Sequence, residues 1–229
     1  MIELVMTGKE TEFSQELYLA FWNGFPIENL RPMLVSSNPE ILSLAAYLIY
    51  ELGTKVRCLL DDIVPLLDHE DPQIRANAVI ALGQCATKFD TIALGKVIEL
   101  LDDPDPFVHR IVMRFIQYCE VGMLITGINE AAATKKETVF EQFPRVISSF
   151  FSRRANRSSS GLPNILKWLL SHENPIANRL GVGLATRPRL IADENLIDLA
   201  ERVEQEECRN VIKWARKSAY LAYAETLRL

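Results

Sequence analysis

Residues 66–83 read Leu66-Leu67-Asp68-His69-Glu70-Asp71-Pro72-Gln73-Ile74-Arg75-Ala76-Asn77-Ala78-Val79-Ile80-Ala81-Leu82-Gly83. Asp71 followed by Pro72 is a helix start. An Asp side chain accepts a backbone N–H that the first helical turn leaves orphaned. Proline suits the first helical position, where no N–H is needed. The alanine-rich run that follows lets a neighbouring helix come close, and Leu82-Gly83 reads as a C-terminal stop.

The same start recurs along the chain. Asn38-Pro39, Asp105-Pro106 and Asn174-Pro175 each precede an apolar stretch of helical period. The prolines lie 33, 34 and 69 residues apart, and 69 is two periods of about 34. Pro39 opens Pro39-Glu40-Ile41 and its stretch ends in Leu52-Gly53, in register with the Pro72 unit. The Pro106 unit runs through Val108, Met113 and Phe115 without a glycine stop, and the Pro175 unit through Ile176, Leu180, Val182 and Leu184. Second helices are expected over about Lys55 to Leu67, Phe89 to Leu101 and Asn195 to Glu206. Phe143, Val146, Ile147, Phe150 and Phe151 mark Val139 to Phe151 as helix despite its β-formers. Strand signals are nearly absent.

The acidic turn, the Asp-Pro step, Ile then Arg, the alanine-rich helix and the Leu-Gly ending of residues 66–83 resemble a HEAT repeat. Leu100-Leu101-Asp102-Asp103-Pro104-Asp105-Pro106-Phe107-Val108-His109-Arg110 resembles one too. The likeness covers about residues 38 to 120, and in part 171 to 186. It implies an all-α, right-handed α-solenoid of about six HEAT-like helix pairs plus a terminal helix, with second helices lining a concave face. On that reading residues 1–229 form a single array. Residues 1–37 cap its N-terminus, 38–206 hold the repeats with an irregular loop at 152–162, and 207–229 form a C-terminal capping helix. The Ser152–Gly161 stretch, basic and built of small residues, is the expected mobile loop.

Composition sets limits on function. The chain has 229 residues, 48% hydrophobic and 24% charged, with a formal net charge of −5. That balance disfavours a dedicated nucleic-acid binder, though not a local basic patch. The N-terminus lacks a basic n-region and a long apolar core, and the stretch Ile41 to Tyr50 is about half a membrane span. A cytoplasmic protein without membrane association is expected. Cys58, Cys85, Cys119 and Cys208 form no C-x-x-C pair and read as reduced thiols. Cys85 and Cys119 lie one period apart, near the ends of two repeat helices.

No stretch carries an H-E-x-x-H, Walker, G-x-S-x-G or G-x-G-x-x-G motif. Gly181-Val182-Gly183 reads as close helix packing rather than a phosphate loop. His69 and His172 share one repeat position, three residues before proline, and His109 lies just inside a helix. All three read as turn or surface histidines. The acidic turns at 68–71 and 102–105 lack the glycine and final glutamate of a calcium loop, and suit the positive end of a helix.

Neither a metal nor a cofactor is expected, and no catalytic residue. The leading expectation is a non-enzymatic protein-binding scaffold or adaptor, suited by its acidity to a basic partner. The HEAT-like resemblance adds three specific roles: an immunity protein neutralising a basic toxin, a DNA alkylation-repair glycosylase, or a phycobilisome-associated or bilin-lyase-like protein. Candidate contacts on the second helices are Lys55, Asp62, Lys96, Glu99, Lys167, Trp168, Asp198 and Glu201, with Trp168 as the aromatic anchor. Arg153, Arg154 and Arg157 are candidates for gripping an anion or an acidic partner.

Overall fold

A computed structural model describes residues 14–136, 138–151, 161–188, 190–191 and 194–226. Among them every regular element is helical and no strand occurs. The α-helices are α1 Ser14–Trp22, α2 Arg31–Leu34, α3 Pro39–Leu52, α4 Leu60–Ile63, α5 Pro72–Cys85, α6 Thr91–Glu99, α7 Pro106–Tyr118, α8 Val121–Thr134, α9 Phe143–Phe151, α10 Gly161–Leu170, α11 Pro175–Ala185, α12 Glu194–Ala200 and α13 Glu206–Thr226. The chain divides into two compact units, at Ala93 and Leu94.

All four Asn/Asp-Pro pairs start helices as the sequence predicts. Asn38, Asp71, Asp105 and Asn174 hold extended backbone, and each Oδ1 accepts the N–H two residues on, at 2.9, 2.8, 2.7 and 2.9 Å. The turn before each cap is built on a second shared rule, which the sequence reading did not reach. Three residues before the proline, a side chain accepts the N–H of the capping residue. Ser36 Oγ does so at 3.2 Å, His69 Nδ1 at 3.0 Å, Asp103 Oδ1 at 2.8 Å and His172 Nδ1 at 3.0 Å.

Three residues after the proline, a buried polar side chain reaches back to the turn's carbonyls in three of the four units. Arg75 Nη1 donates to His69 O at 2.7 Å and Glu70 O at 2.8 Å. His109 Nε2 meets Asp103 O at 2.5 Å. Asn178 Nδ2 donates to His172 O at 3.0 Å and Leu169 O at 2.9 Å. In the first unit the position is Leu42, which is buried without such a bond. Backbone groups shielded from water need partners, and these side chains supply them. The turn reading of His69 and His172 therefore holds. His109 departs from the surface reading: it is buried, because its ring serves as this inward donor.

In the first unit α3 packs against α5, and Ala45 and Ala46 of the one and Ala76, Ala78 and Ala81 of the other are fully buried. Small side chains at the contact shorten the interaxial distance. Gly53 ends α3 at φ 57°, a left-handed conformation that favours glycine. Gly83 is not a stop. It lies inside α5, which continues to Cys85 and ends where Ala86 turns extended. Residues 55–67 are not one helix either. They form two 3-10 segments, Gly53–Leu59 and Val64–Asp68, around the single turn α4. Pro65 has no N–H to extend an α-ladder, and its ring disfavours helix in the residue before it. Arg57 closes this unit's last turn, its Nη1 donating to Cys85 O at 3.3 Å and to Asp90 Oδ2 at 2.6 Å. Arg57 and the Thr87 N–H hold the Asp90 carboxyl below its usual range.

In the second unit α7 sits against α11 and α13. Gly183 of α11 lies so close to α7 that a Cβ there would fall 2.9 Å from Ile116 Cβ. The close-packing reading of Gly181-Val182-Gly183 is thus met. The helix over Val139 to Phe151 appears as a 3-10 turn, Val139–Gln142, leading into α9. The helix expected over 195–206 is shorter, ending at Ala200, and α13 provides the closing helix. Residues 152–160, with Arg153, Arg154 and Arg157, lie outside the described residues.

Candidate functional site

A recess of the second unit is built where α10 turns into α11. Leu166, Leu169 and Leu170 of α10 face inward and are buried. That register leaves Lys167 and Trp168 outside, and Trp168 is 38% exposed. Its indole meets the His172 ring edge-on, at 4.8 Å and 72°. Because His172 Nδ1 accepts the Asn174 N–H, a neutral His172 carries its proton on Nε2.

His172 lines two adjoining clefts. One, of about 520 Å³, is bounded by Asn164, Lys167, Trp168, Ser171 and Glu173. The other, of about 780 Å³, is bounded by Asp102, Lys135 and the Thr138–Gln142 turn on one side, and by Asn174, Pro175 and Ile176 on the other. Glu99 stands at its edge. It accepts the Thr134 hydroxyl and pairs with Lys135 Nζ at 3.7 Å. Asp102, Glu141 and Glu173 form no ion pair among the described residues, so the clefts present three open carboxylates beside two lysines.

Of the candidate contacts read from sequence, Glu99, Lys167 and Trp168 come to this face. Lys96 is half-buried on α6. Asp198 and Glu201 are held with Glu194 by one guanidinium: Arg216 lies 3.4, 2.9 and 3.3 Å from them. Lys55 and Asp62 belong to the first unit and are engaged there. Lys55 Nζ donates to Trp22 O at 2.8 Å and lies 3.9 Å from the indole centroid, while Asp62 pairs with Arg31 at 3.5 Å. Sequence reasoning missed Asp102, Lys135, Glu141 and Glu173. Lys167 and Trp168 are the lining residues that the sequence reading names, while His172 reads there only as a turn or surface histidine.

The groups with perturbed protonation lie away from the clefts. Burial pushes the Cys85 and Cys119 thiols up to about 11 and Cys208 to about 12, which suppresses the nucleophilic thiolate at neutral pH. All four cysteines are free. Among the described residues no three His, Cys, Asp or Glu side chains are grouped to hold a metal ion, and no helix is long and apolar enough to cross a membrane.

No protein-family model and no curated protein matches the chain. Among solved structures, an engineered protein from the Northeast Structural Genomics Consortium is 16% identical, covering 85% of this chain and 98% of its own at a TM-score of 0.41. A likeness that loose carries no argument.

Proposed function

We propose that the chain is a HEAT-like protein-binding module, a scaffold or adaptor, whose partner docks on the face carrying Trp168. The observation that carries this reading is the exposed indole of Trp168, which lines one cleft and is braced by His172, the residue shared with the adjoining cleft. Aromatic anchors in recesses concentrate binding energy at protein interfaces. Three open carboxylates around them suit a basic partner, of which a toxin is one case. A binding role is supported further by how the local polar groups are used: Glu99 is tied to Thr134 and Lys135, and His172 Nδ1 to its own turn.

The helix pairs, in this reading, stack as a right-handed solenoid of about six pairs and a terminal helix. The proline period and the four matching turns support it.

The test is comparative capture. Immobilised wild-type chain and its Trp168→Ala and Glu173→Lys variants are exposed to the same lysate, and bound proteins are quantified. A basic protein retained by the first, and weakened at least tenfold by Trp168→Ala and by Glu173→Lys, fits the proposal. Equal retention by all three chains places the interface elsewhere.

A further inference from the structure

We propose that the exposed stripe of α7, together with the adjoining face of α13, binds single-stranded nucleic acid. α7 is buried on nearly every side. Apart from its first residue, Pro106, the side chains that reach solvent are Phe107, Arg110, Arg114 and Tyr118. Spaced by three and four residues, they stand one above another along a single line, roughly 16 Å long at the helical rise.

α13 runs beside this line. The Arg114 guanidinium lies 4.3 Å from the centroid of the Trp214 ring, and Tyr118 meets the same ring edge-on at 6.1 Å. Around Trp214 the exposed positions of α13 are Arg209, Asn210, Lys213 and Lys217. Arg110, Arg114, Arg209, Lys213 and Lys217 form no ion pair among the described residues. Glu206, at the start of α13, pairs with none of them. Arg216 gathers Glu194, Asp198 and Glu201, while Glu120 and Glu206 are exposed beside the end of α7 and at the start of α13. A chain of net charge −5 thus exposes a strip of positive charge.

Charge alone would fit any polyanion. The rings decide the class. Trp214 is 37% and Tyr118 53% exposed, and Arg110 lies over Phe107 at 5.3 Å. Aromatic and guanidinium planes set among cations are the pattern on which unpaired bases stack while lysines meet the phosphates. An acidic peptide could meet the cations without the ring planes, whereas an unpaired strand uses both, phosphates on the cations and bases on the rings. Nothing in this strip reads base edges in a fixed order, so binding tolerates sequence.

Fluorescence anisotropy with labelled oligo(dT) 20-mer tests this, independently of the Trp168 face. Binding is expected at 50 mM salt. The slope of log K against log salt should be about −3, as four or so released counterions give. Arg114→Glu with Lys213→Glu should weaken binding at least tenfold. Trp214→Leu should weaken it about tenfold with the slope kept, and Trp168→Ala should change nothing. Circular dichroism melts confirm folding, and Lys213→Glu with Lys217→Glu, both at exposed positions, serves if Trp214→Leu unfolds. No binding at 50 mM salt, wild-type affinity in the charge variants or in a folded Trp214→Leu, or competition by polyglutamate equal to that of unlabelled oligo(dT), overturns the proposal. The last outcome would make this a face for acidic protein.

Discussion

Asp71 shows how much one side chain can set. Its Oδ1 takes the Gln73 N–H at 2.8 Å and fixes where α5 begins. Asp71→Ala should cost about 1 kcal/mol, a drop of roughly 2–4 °C in Tm for a chain of this size; an unchanged calorimetric melt would refute the assignment. Asn178 is costlier to lose, because its amide serves Leu169 O and His172 O inside the turn. Asn178→Leu leaves both carbonyls without that donor, and a loss of about 1–3 kcal/mol in urea unfolding is expected. The caps were legible in the sequence because a cap is local: Asn or Asp beside Pro needs no tertiary information. The bonds of Asn178, Arg75 and His109 were not, since they span five to nine residues and depend on a turn closing first.

At the level of elements, periodicity located the first helices well and the second helices unevenly: the one expected over 89–101 is α6 with a closing 3-10 turn, while the one over 55–67 is broken. α5 and α7 carry their start signals in two adjacent residues. The helix expected over 55–67 has apolar spacing of the right period, but Pro65 outweighs spacing. The clefts beside Trp168 were illegible for another reason: no local pattern brings the Thr138–Gln142 turn beside residues 172–176. Close approaches between helices give the sharpest prediction here. A Cβ on Gly127 of α8 would lie 2.7 Å from Leu94 O of α6, a backbone atom that cannot swing aside. Gly127→Ala should therefore destabilise by about 1–3 kcal/mol despite alanine's better helix propensity. Equal or greater stability in denaturant titration would show that α6 and α8 separate at no cost.

Across the whole chain, pH gives a test of how buried charge is managed. His109 is packed between Asp103 O, at 2.5 Å from Nε2, and Glu207 Oε1, at 3.4 Å from Nδ1; Arg179 Nε holds the same Glu207 oxygen at 3.1 Å. Burial and the Arg179 charge lower the His109 pKa and outweigh the Asp103 carbonyl and Glu207. The unfolded chain then binds a proton at about pH 6.5 that the folded chain still refuses. Stability rises with pH across that window and is lost as pH falls from about 6.5 toward the lower folded value. Urea midpoints at pH 7.5 and pH 5.5 should differ more for the wild type than for His109→Gln, which lacks the titrating ring. Equal shifts would mean that His109 takes up its proton over the same pH range in the fold as in the unfolded chain.

The turn before each proline has a consequence for how such a chain can change over generations. Ser36, His69, Asp103 and His172 fill one station with three kinds of residue, and Arg75, His109 and Asn178 fill the opposite station with three more. What the turn asks for there is the direction of a bond, an acceptor on one side and, in three of the four turns, a donor on the other, rather than a letter. Copies of the unit can therefore drift apart in spelling while keeping the same syntax.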